Sequence, residues 1–336
     1  MKRLLIFITV ISLSIFYYSC NCNGKKEKKF HEIKDTTVKI TIDRYEKALF
    51  SINKDSLQAE LIKIKPRYSF FLDGDLKDKQ NITQILDYLN DPQMRENFNA
   101  SQKTFSDITK LERQLSLALT YFKYYFPEKK VPKVYTYICG MDFEHPVIYA
   151  DSVLLIALDM YLGKDYPLYQ SFGLPLFLRR AMSEDYIVRD CMKAMAEYYF
   201  YQDMKDATCL DHMVYEGKKQ YFIDVMMPAA DDSIKFKFSK NQLDWCRDNE
   251  AKIWAYFIDN KLLYSKDDNT FRKFFNEAPF TSSFSKSSPP RTGCWIGWNI
   301  VSHYMEQAKN INFSKLIENH DAQQILSMSK YKPKKP

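Results

Sequence analysis

The sequence has few of the residues on which common active sites depend. Only 8 of its 336 residues are glycine and only 5 are histidine. No two histidines lie three to five residues apart, so the chain carries no local pair of zinc ligands. It also has no Gly-x-Ser-x-Gly turn, no phosphate-binding loop and no dinucleotide-binding glycine pattern. The usual signatures of zinc peptidases, serine hydrolases and nucleotide-binding enzymes are therefore missing.

The cysteines do not form a disulfide framework. Two of the seven lie near the N-terminus, and the other five are irregularly spaced without a Cys-x-x-Cys pair. We expect mostly buried free thiols, with one or two incidental bridges at most. These five are Cys139, Cys191, Cys209, Cys246 and Cys294.

The N-terminus has the pattern of an exported protein. Residues 1–19 join two basic residues to an apolar run that is too short for a comfortable membrane span, which predicts a signal peptide. The run ends at Ser19-Cys20, which resembles a lipobox and predicts that Cys20 is lipidated and holds the protein to a membrane. An ordinary secretory signal or an uncleaved anchor is the alternative. Residues 20–36 would then be the lipidated N-terminus and a basic tether.

Composition places the rest of the chain, residues 37–333, in a globular region. The sequence is 46% hydrophobic with 24 Tyr and 24 Phe, enough to bury a large core. A net charge of +7 is modest, and we expect no nucleic-acid partner. The patterns predict an α+β, predominantly helical fold, with a helical half over about residues 43–126 and a sheet-plus-helix half over about residues 133–333.

The first half has helical periodicity and the second half opens with strands. After an extended lead-in, the pattern predicts helices, then three β-branched or aromatic runs, then a long helix. Past that helix, residues 215–225 favour a short hairpin or loop, and Ser239 with Gln242 opens a further helix through a capping box. The predicted lead-in is 38–42, the helices are 43–50, 56–64, 81–90, 104–125, 176–201 and 295–305, and the strands are 134–138, 147–149 and 153–158.

The best-patterned helix candidate, residues 181–201, occupies the place where an enzyme would carry its chemistry. The HExxH helix of a zinc peptidase has two histidines four residues apart, with a glutamate after the first. The corresponding residues here are Arg189, Asp190 and Lys193. Arginine and lysine offer no lone pair to zinc at neutral pH, so we expect no metal and no cofactor. On the polar face, we expect Asp185 to pair with Arg189 and Lys193 with Glu197.

Four motifs together resemble the GldB family, the gliding-motility lipoproteins of Bacteroidetes. The similarity runs over nearly the whole mature chain. It implies a lipoprotein associated with gliding motility or the linked protein-secretion machinery, held in the cell membrane or outer membrane and facing away from the cytoplasm. The motifs are Asp159-Met160-Tyr161-Leu162-Gly163, Asn249-Glu250-Ala251-Lys252-Ile253-Trp254, Pro290-Arg291-Thr292-Gly293 with Trp295-Ile296-Gly297-Trp298, and Ser329-Lys330-Tyr331-Lys332-Pro333.

The family also looks distantly similar to predicted zinc peptidases, which implies a degenerate zincin-like arrangement. Because the HExxH positions are substituted, we expect a non-catalytic structural or interaction component whose partners are the membrane and the motility or secretion proteins. The alternative is a metallohydrolase or peptidase-like enzyme with a noncanonical site near Asp190, His212 or Glu216. A third possibility, a module for cell-wall or lipid ligands, rests on the aromatic content alone.

Two other clusters offer weaker chemistry. Asp142, Glu144 and His145 would need a distant residue such as His212 to complete a metal site, and a polar turn between strands explains them equally well. Cys139 with His145 suggests a thiol nucleophile.

The motif around Arg291 has two interpretations. Arg291 beside Trp295 and Trp298 is suited to binding a partner or an anion. Alternatively, Gly293 and Gly297, four residues apart, let this helix approach another closely, with the tryptophans as packing anchors. We favour the packing interpretation.

Overall fold

The structure, a computed structural model, describes residue 33 and residues 37–150, 152–307 and 312–333. Fifteen helices and one four-stranded sheet lie within these residues, which confirms the α+β, predominantly helical prediction. The predicted signal peptide, Cys20 and all of the predicted tether except Ile33 lie outside the described residues. None of the helices in the described part is both long and apolar enough to cross a bilayer.

The helices are numbered here in chain order. They are α1 (Tyr45–Phe50), α2 (Leu57–Ile64), α3 (Lys79–Asn90), α4 (Pro92–Thr104), α5 (Thr109–Tyr125), α6 (Pro167–Ser171), α7 (Leu176–Arg179), α8 (Ile187–Tyr199), α9 (Cys209–Met226), α10 (Asp232–Phe236), α11 (Lys240–Asp259), α12 (Asp268–Phe275), α13 (Thr292–Gln307), α14 (Phe313–Glu318) and α15 (Ala322–Ser329).

The sheet is small and mixed, with strand order β1-β2-β4-β3. β1 (Ile42–Arg44), β2 (Lys133–Tyr137) and β4 (Val153–Ala157) run parallel, and β3 (Val147–Ala150) runs antiparallel to β4. β2 and β4 are the inner strands, and their central residues are buried, as expected for runs of β-branched, aromatic and aliphatic residues. All three predicted strands are confirmed to within a residue or two.

The lead-in before β1 is fixed by side chains of a helix instead of by another strand. Backbone N–H groups of alternate residues donate to side chains spaced four residues apart on α5. Two residues of extended chain advance about 6.6 Å and four residues of helix about 6 Å, so the two repeats match. The bonds run from Val38 to Thr120 Oγ1 (3.2 Å), from Ile40 to Ser116 Oγ (2.9 Å) and from Ile42 to Glu112 Oε1 (2.9 Å).

Helices α9 and α13 cross at the centre of the second half. Their backbones meet at glycines: a Cβ atom on Gly297 would lie 1.8 Å from the carbonyl oxygen of Met213.

The short hairpin or loop predicted over residues 215–225 is wrong, because those residues lie inside α9. A helix buried on nearly all sides loses the single apolar stripe that marks a surface helix, and its β-branched and aromatic residues then resemble strands.

Two long predicted helices are interrupted. Residues 104–125 contain the end of α4 and all of α5, separated by a bend in which Asp107 accepts the N–H of Thr109 at 2.9 Å. Residues 176–201 contain α7 and α8, because Ser183 between them is extended and forms a bridge with Leu162. The single helix predicted over residues 176–201 is therefore two helices, and the second begins at Ile187.

Local signals in other places are confirmed. Ser239 and Gln242 form the predicted reciprocal cap of α11. The five cysteines within the described residues are free thiols and four of them are buried, as the irregular spacing predicted.

Candidate functional site

Helix α8 carries the three residues singled out at the zinc-peptidase positions. It packs against β3, β4, α5 and α9, and this packing turns Arg189 and Asp190 into the interior while Lys193 stays exposed. Lys193 pairs with Glu197 at 3.3 Å, as predicted. The predicted pair between Asp185 and Arg189 is wrong, because Asp185 lies in a 3-10 turn before the helix begins, and it contacts Lys110 at 2.9 Å instead.

Asp190 is the acceptor at the centre of a buried polar network. Arg189 Nη1 donates to Asp190 Oδ1 at 3.0 Å, Lys237 Nζ donates to Oδ2 at 2.9 Å, and Tyr161 Oη donates to Oδ2 at 2.9 Å. Lys237 Nζ also lies 2.9 Å from Oδ1. Two cations and a phenol therefore surround one carboxylate that is only 5% exposed.

The environment keeps Asp190 ionised. Burial alone would raise the pKa of this carboxyl group, but Lys237 and Arg189 outweigh burial and lower the pKa to about 2. A general base works best when its pKa lies near the operating pH. Asp190 is therefore a weak base at neutral pH, and its lone pairs are already engaged.

A three-residue segment, 235–237, connects this network to the rest of the second half. Arg189 Nε and Gln220 Nε2 both donate to the carbonyl oxygen of Lys235, at 3.1 and 3.2 Å. The Lys235 ammonium donates to Asp224 at 2.9 Å in a fully buried ion pair. Lys237, in the left-handed conformation with φ 54°, ends α10 and directs its side chain to Asp190. The segment therefore ties α8 and α9 together.

Arg291 joins the same segment from the start of α13. Its guanidinium donates to the carbonyl oxygen of Phe236, and its Nε lies 3.1 Å from Glu277 Oε1. It also stacks over the Phe238 ring, with Cζ 5.2 Å from the ring centroid. Arg291 has φ 53°, an uncommon backbone conformation for a residue with a side chain.

Trp295 and Trp298 are buried side chains of the same cluster. Both rings pack against Phe236, at centroid distances of 5.1 and 5.0 Å, and Trp298 Nε1 donates to Asp224 at 3.3 Å. With Gly297 in contact with α9, these positions agree with the packing interpretation of the motif. A partner-binding role for Arg291, Trp295 and Trp298 stays a prediction; Trp295 is 3% exposed and Trp298 is 8% exposed.

The motif that begins at Asp159 supports the network from the opposite side. Asp159 is fully buried and accepts the backbone N–H groups of Cys139, Gly140 and Met141. Two residues later, Tyr161 donates to Asp190. This motif therefore holds the 139–141 turn with one side chain and the α8 carboxylate with another.

A cavity of about 260 Å³ opens beside Asp190 and collects several predicted residues. Asp190, Lys193, Glu144 and His145 line it although they come from different parts of the chain. Lining residues that the sequence analysis did not single out include Lys237 and Glu277. The apolar residues of the lining are Phe143, Pro146, Val147, Met160, Leu174, Phe177, Leu178, Ala181, Met182 and Ala194.

The remaining sequence candidates do not assemble into a metal or nucleophile site. Across the described ranges, no group of three or more His, Cys, Asp or Glu side chains is placed to hold a metal ion. His145 bonds to Asp142 at 3.2 Å, whereas His212 lines a different cavity and packs on Phe271. Burial raises the pKa of the Cys139 thiol, which is the opposite of what an activated nucleophile requires.

Sequence reasoning missed Lys237 and Glu277. Lys237 lies 47 residues from Asp190 in the chain, and no local spacing relates the two. The alternation Lys235-Phe236-Lys237-Phe238 was the available signal, since it places two lysines among aromatic residues, but it is more typical of an exposed strand.

Comparison with known proteins identifies one family. The family model described as gliding motility protein GldB matches residues 26–333. No curated protein matches the chain, and no solved structure matches it.

Proposed function

We propose that this chain, which belongs to the gliding motility protein GldB family, is a lipid-anchored, non-catalytic component of the cell envelope. In this role it would bind proteins of the gliding machinery or of the linked secretion machinery. The family name supports a part in gliding and an association with the envelope. The lipid anchor at Cys20, the lack of catalytic activity and the binding of protein partners are proposed here.

The position of Asp190 carries the non-catalytic part of the proposal. It is the carboxylate at the position of the peptidase glutamate, and it is buried among Arg189, Lys237 and Tyr161. A base that activates water needs an open side facing the substrate and a pKa near neutrality. Asp190 lines a cavity, but its pKa is about 2 and both of its oxygens already accept hydrogen bonds, so it does not meet the requirements of such a base.

The same network suits a structural role. Removing one partner of a buried ion pair destabilises a protein by about 3–5 kcal/mol, because the other charge remains buried and uncompensated. The residues around Asp190 come from α8, the 235–237 segment and the Asp159 motif. They therefore fix the relative position of three distant parts of the chain.

The anchor is supported by the N-terminal sequence, in which an apolar run ends at Ser19-Cys20. Two or more acyl chains hold a protein firmly to a membrane, whereas one chain gives marginal binding. Metabolic labelling with radioactive palmitate tests this point. The wild-type protein should incorporate label and sediment with membranes, and Cys20→Ser should do neither. Label retained in Cys20→Ser would refute the assignment of the anchor.

The partner part is tested by crosslinking in living cells of a gliding bacterium that produces a tagged copy. We expect envelope proteins of the motility or secretion machinery in the pull-down, and their loss from a Cys20→Ser control that no longer reaches the membrane. Metal analysis of the same material is the second readout. A stoichiometric metal ion with no stable partner would favour the noncanonical hydrolase instead.

A further inference from the structure

The cavity beside Asp190 is small and has both apolar and charged residues in its lining. Its volume is about 260 Å³, which is smaller than a typical site for a drug-sized ligand. The apolar part of the lining, called here the apolar wall, includes Phe177, Leu178 and Met182, and the lining also includes Lys193 and Lys237. We propose that this cavity binds a carboxylate with a short apolar tail, such as the C-terminal leucine of a peptide or a short fatty acid.

Lys237 is placed to hold the carboxylate. An ammonium has three N–H donors, and the two oxygens of Asp190 are its hydrogen-bond acceptors in the structure. Among the described residues the hydrogen bonds of this ammonium run to Asp190, which leaves a third N–H for a ligand, and the side chain, which is 20% exposed, lines the cavity. Its left-handed backbone at the end of α10 fixes the direction from which the side chain enters.

Lys193 provides a second cation at the mouth. Its side chain is 47% exposed and pairs with Glu197 at 3.3 Å, but Glu197 also faces Lys219 at 3.9 Å. The Lys193 ammonium can therefore turn toward a ligand while Glu197 keeps a partner. Two lysines in the lining of one small cavity are suited to a single carboxylate.

Three of the four carboxylates that line the cavity are paired with cations within 3.9 Å. Asp190 pairs with Arg189 and Lys237, Glu197 pairs with Lys193 and Lys219, and Glu277 pairs with Arg291, whereas the fourth, Glu144, is exposed. Burial lowers the pKa of Lys237, and repulsion from Arg189 acts in the same direction. A bound carboxylate would offset this repulsion.

The apolar wall would contact the hydrocarbon tail of the ligand. Met160 and Met182 are flexible side chains that adapt to different hydrocarbon shapes. Phe172, which is 51% exposed, packs edge-on against Phe143 next to this wall. A bare anion such as phosphate would leave the apolar wall exposed to water, whereas an apolar carboxylate covers it.

Calorimetric titration of the full-length lipoprotein in phosphatidylcholine nanodiscs tests the proposal. The probes are N-acetyl-leucine, its neutral analogue N-acetyl-leucinamide, and hexanoate, each corrected for binding to empty nanodiscs. We expect at least one acid to bind saturably and the amide to bind about tenfold more weakly, because the amide lacks the charge-assisted bonds. Tighter binding of N-acetyl-leucine than of hexanoate identifies a peptide end as the source, and the reverse order identifies a fatty acid.

Three variants and a control separate binding from folding. Lys237→Met should weaken the acid about tenfold, but it also disturbs the buried network. Lys193→Met changes only an exposed side chain, and Ala194→Phe fills the cavity without changing a charge. Both should reduce binding while thermal unfolding stays close to that of the wild type. Lys205→Met, an exposed lysine outside the cavity, should bind as the wild type does.

Several results would overturn the proposal. They are equal affinity for the acid and the amide, wild-type affinity in both Lys193→Met and Ala194→Phe, and no saturable binding of either acid to folded protein. None of these results depends on the lipid anchor or on gliding, so they leave the proposed function untouched.

Discussion

Gly217 of α9 lies directly against Gly297 of α13, and a Cβ atom on Gly217 would be 2.2 Å from the carbonyl oxygen of Gly297. Real Cβ atoms do not approach a carbonyl so closely, so any larger residue must push the two helices apart. The contact between these helices is the most extensive helix pair in the described part of the chain. The two glycines therefore set the separation of the central helices.

Substitution at this crossing should destabilise the fold. We expect Gly297→Ala to lower the free energy of unfolding by about 2–3 kcal/mol, because overpacking forces backbone shifts and outweighs the better helix propensity of alanine. Gly74→Ala is the matched control, since its Cβ would meet the flexible side chain of Asn81 at 3.3 Å. Urea denaturation measures the free energy of unfolding of both variants. A Gly297→Ala protein as stable as the control would contradict the close approach.

The lead-in should depend on the hydroxyl groups of α5. Ser116→Ala leaves the buried N–H of Ile40 without an acceptor, which should cost about 1–3 kcal/mol. Ser171→Ala, at an exposed hydroxyl on α6, should change stability by less than about 0.5 kcal/mol. Hydrogen exchange at the Ile40 amide is a second readout, and unchanged protection in Ser116→Ala would show that the bond is unimportant.

The charges around Asp190 should act as a unit. Asp190→Asn leaves Arg189 and Lys237 without their carboxylate and should cost about 3–5 kcal/mol. Arg189→Met/Asp190→Asn removes one charge of each sign and should recover part of that loss, because Gln220 still bonds to the Lys235 carbonyl. Chemical denaturation compares the free energies of unfolding of Asp190→Asn, Arg189→Met and the double variant. A double variant whose loss equals the sum of the two single losses would show that the two side chains do not interact.

An exposed pair on the same helix is the control for this cycle. Glu197→Gln alters a carboxylate that is 43% exposed, and we expect a change below about 1 kcal/mol.

Lys218 should make stability rise with pH in the alkaline range. It is 1% exposed, its ammonium donates to the carbonyl oxygen of Asn319, and burial lowers its pKa from 10.5 to about 8. Between these two values the unfolded chain binds more protons than the folded chain, so raising the pH favours folding. The cost of the buried charge is present in full below pH 8 and amounts to about 3 kcal/mol.

Lys218→Met removes that titration. Its free energy of unfolding should exceed that of the wild type near pH 7, and the difference should shrink as the pH rises through 8 toward 10.5. Lys205→Met, at an exposed position, should follow the wild-type profile. Parallel curves for Lys218→Met and the wild type would rule out the lowered pKa.

The sequence predicted those elements whose signals are local. The cap of α11 at Ser239, the apolar stripe of α5 and the three β-branched runs each occupy a short window, and the structure confirms them. Helix α9 was missed because its residues are buried on several sides, so packing overrode the periodicity. The break at Ser183 is set by a bridge to Leu162, 21 residues away in the chain, which no local window reveals.

The candidate site was predicted in part for the same reason. Arg189, Asp190 and Lys193 lie on one helix, and their spacing, which matches the three HExxH positions, made them candidates. Tyr161 and Lys237 reach Asp190 across 29 and 47 residues. Their arrival at one carboxylate depends on how α8, α10 and the Asp159 motif pack. Only the tertiary structure shows this.

Gliding by a strain that lacks its own family member, complemented with Arg189→Met/Asp190→Asn, tests the non-catalytic account most directly. Asparagine cannot accept a proton as a general base, while the double variant keeps the local charge balance and leaves Lys237 in place. At membrane-bound protein levels equal to those of the wild type, we expect wild-type gliding speed. Abolished gliding at equal levels of folded, anchored protein would contradict the account and assign Asp190 a chemical role.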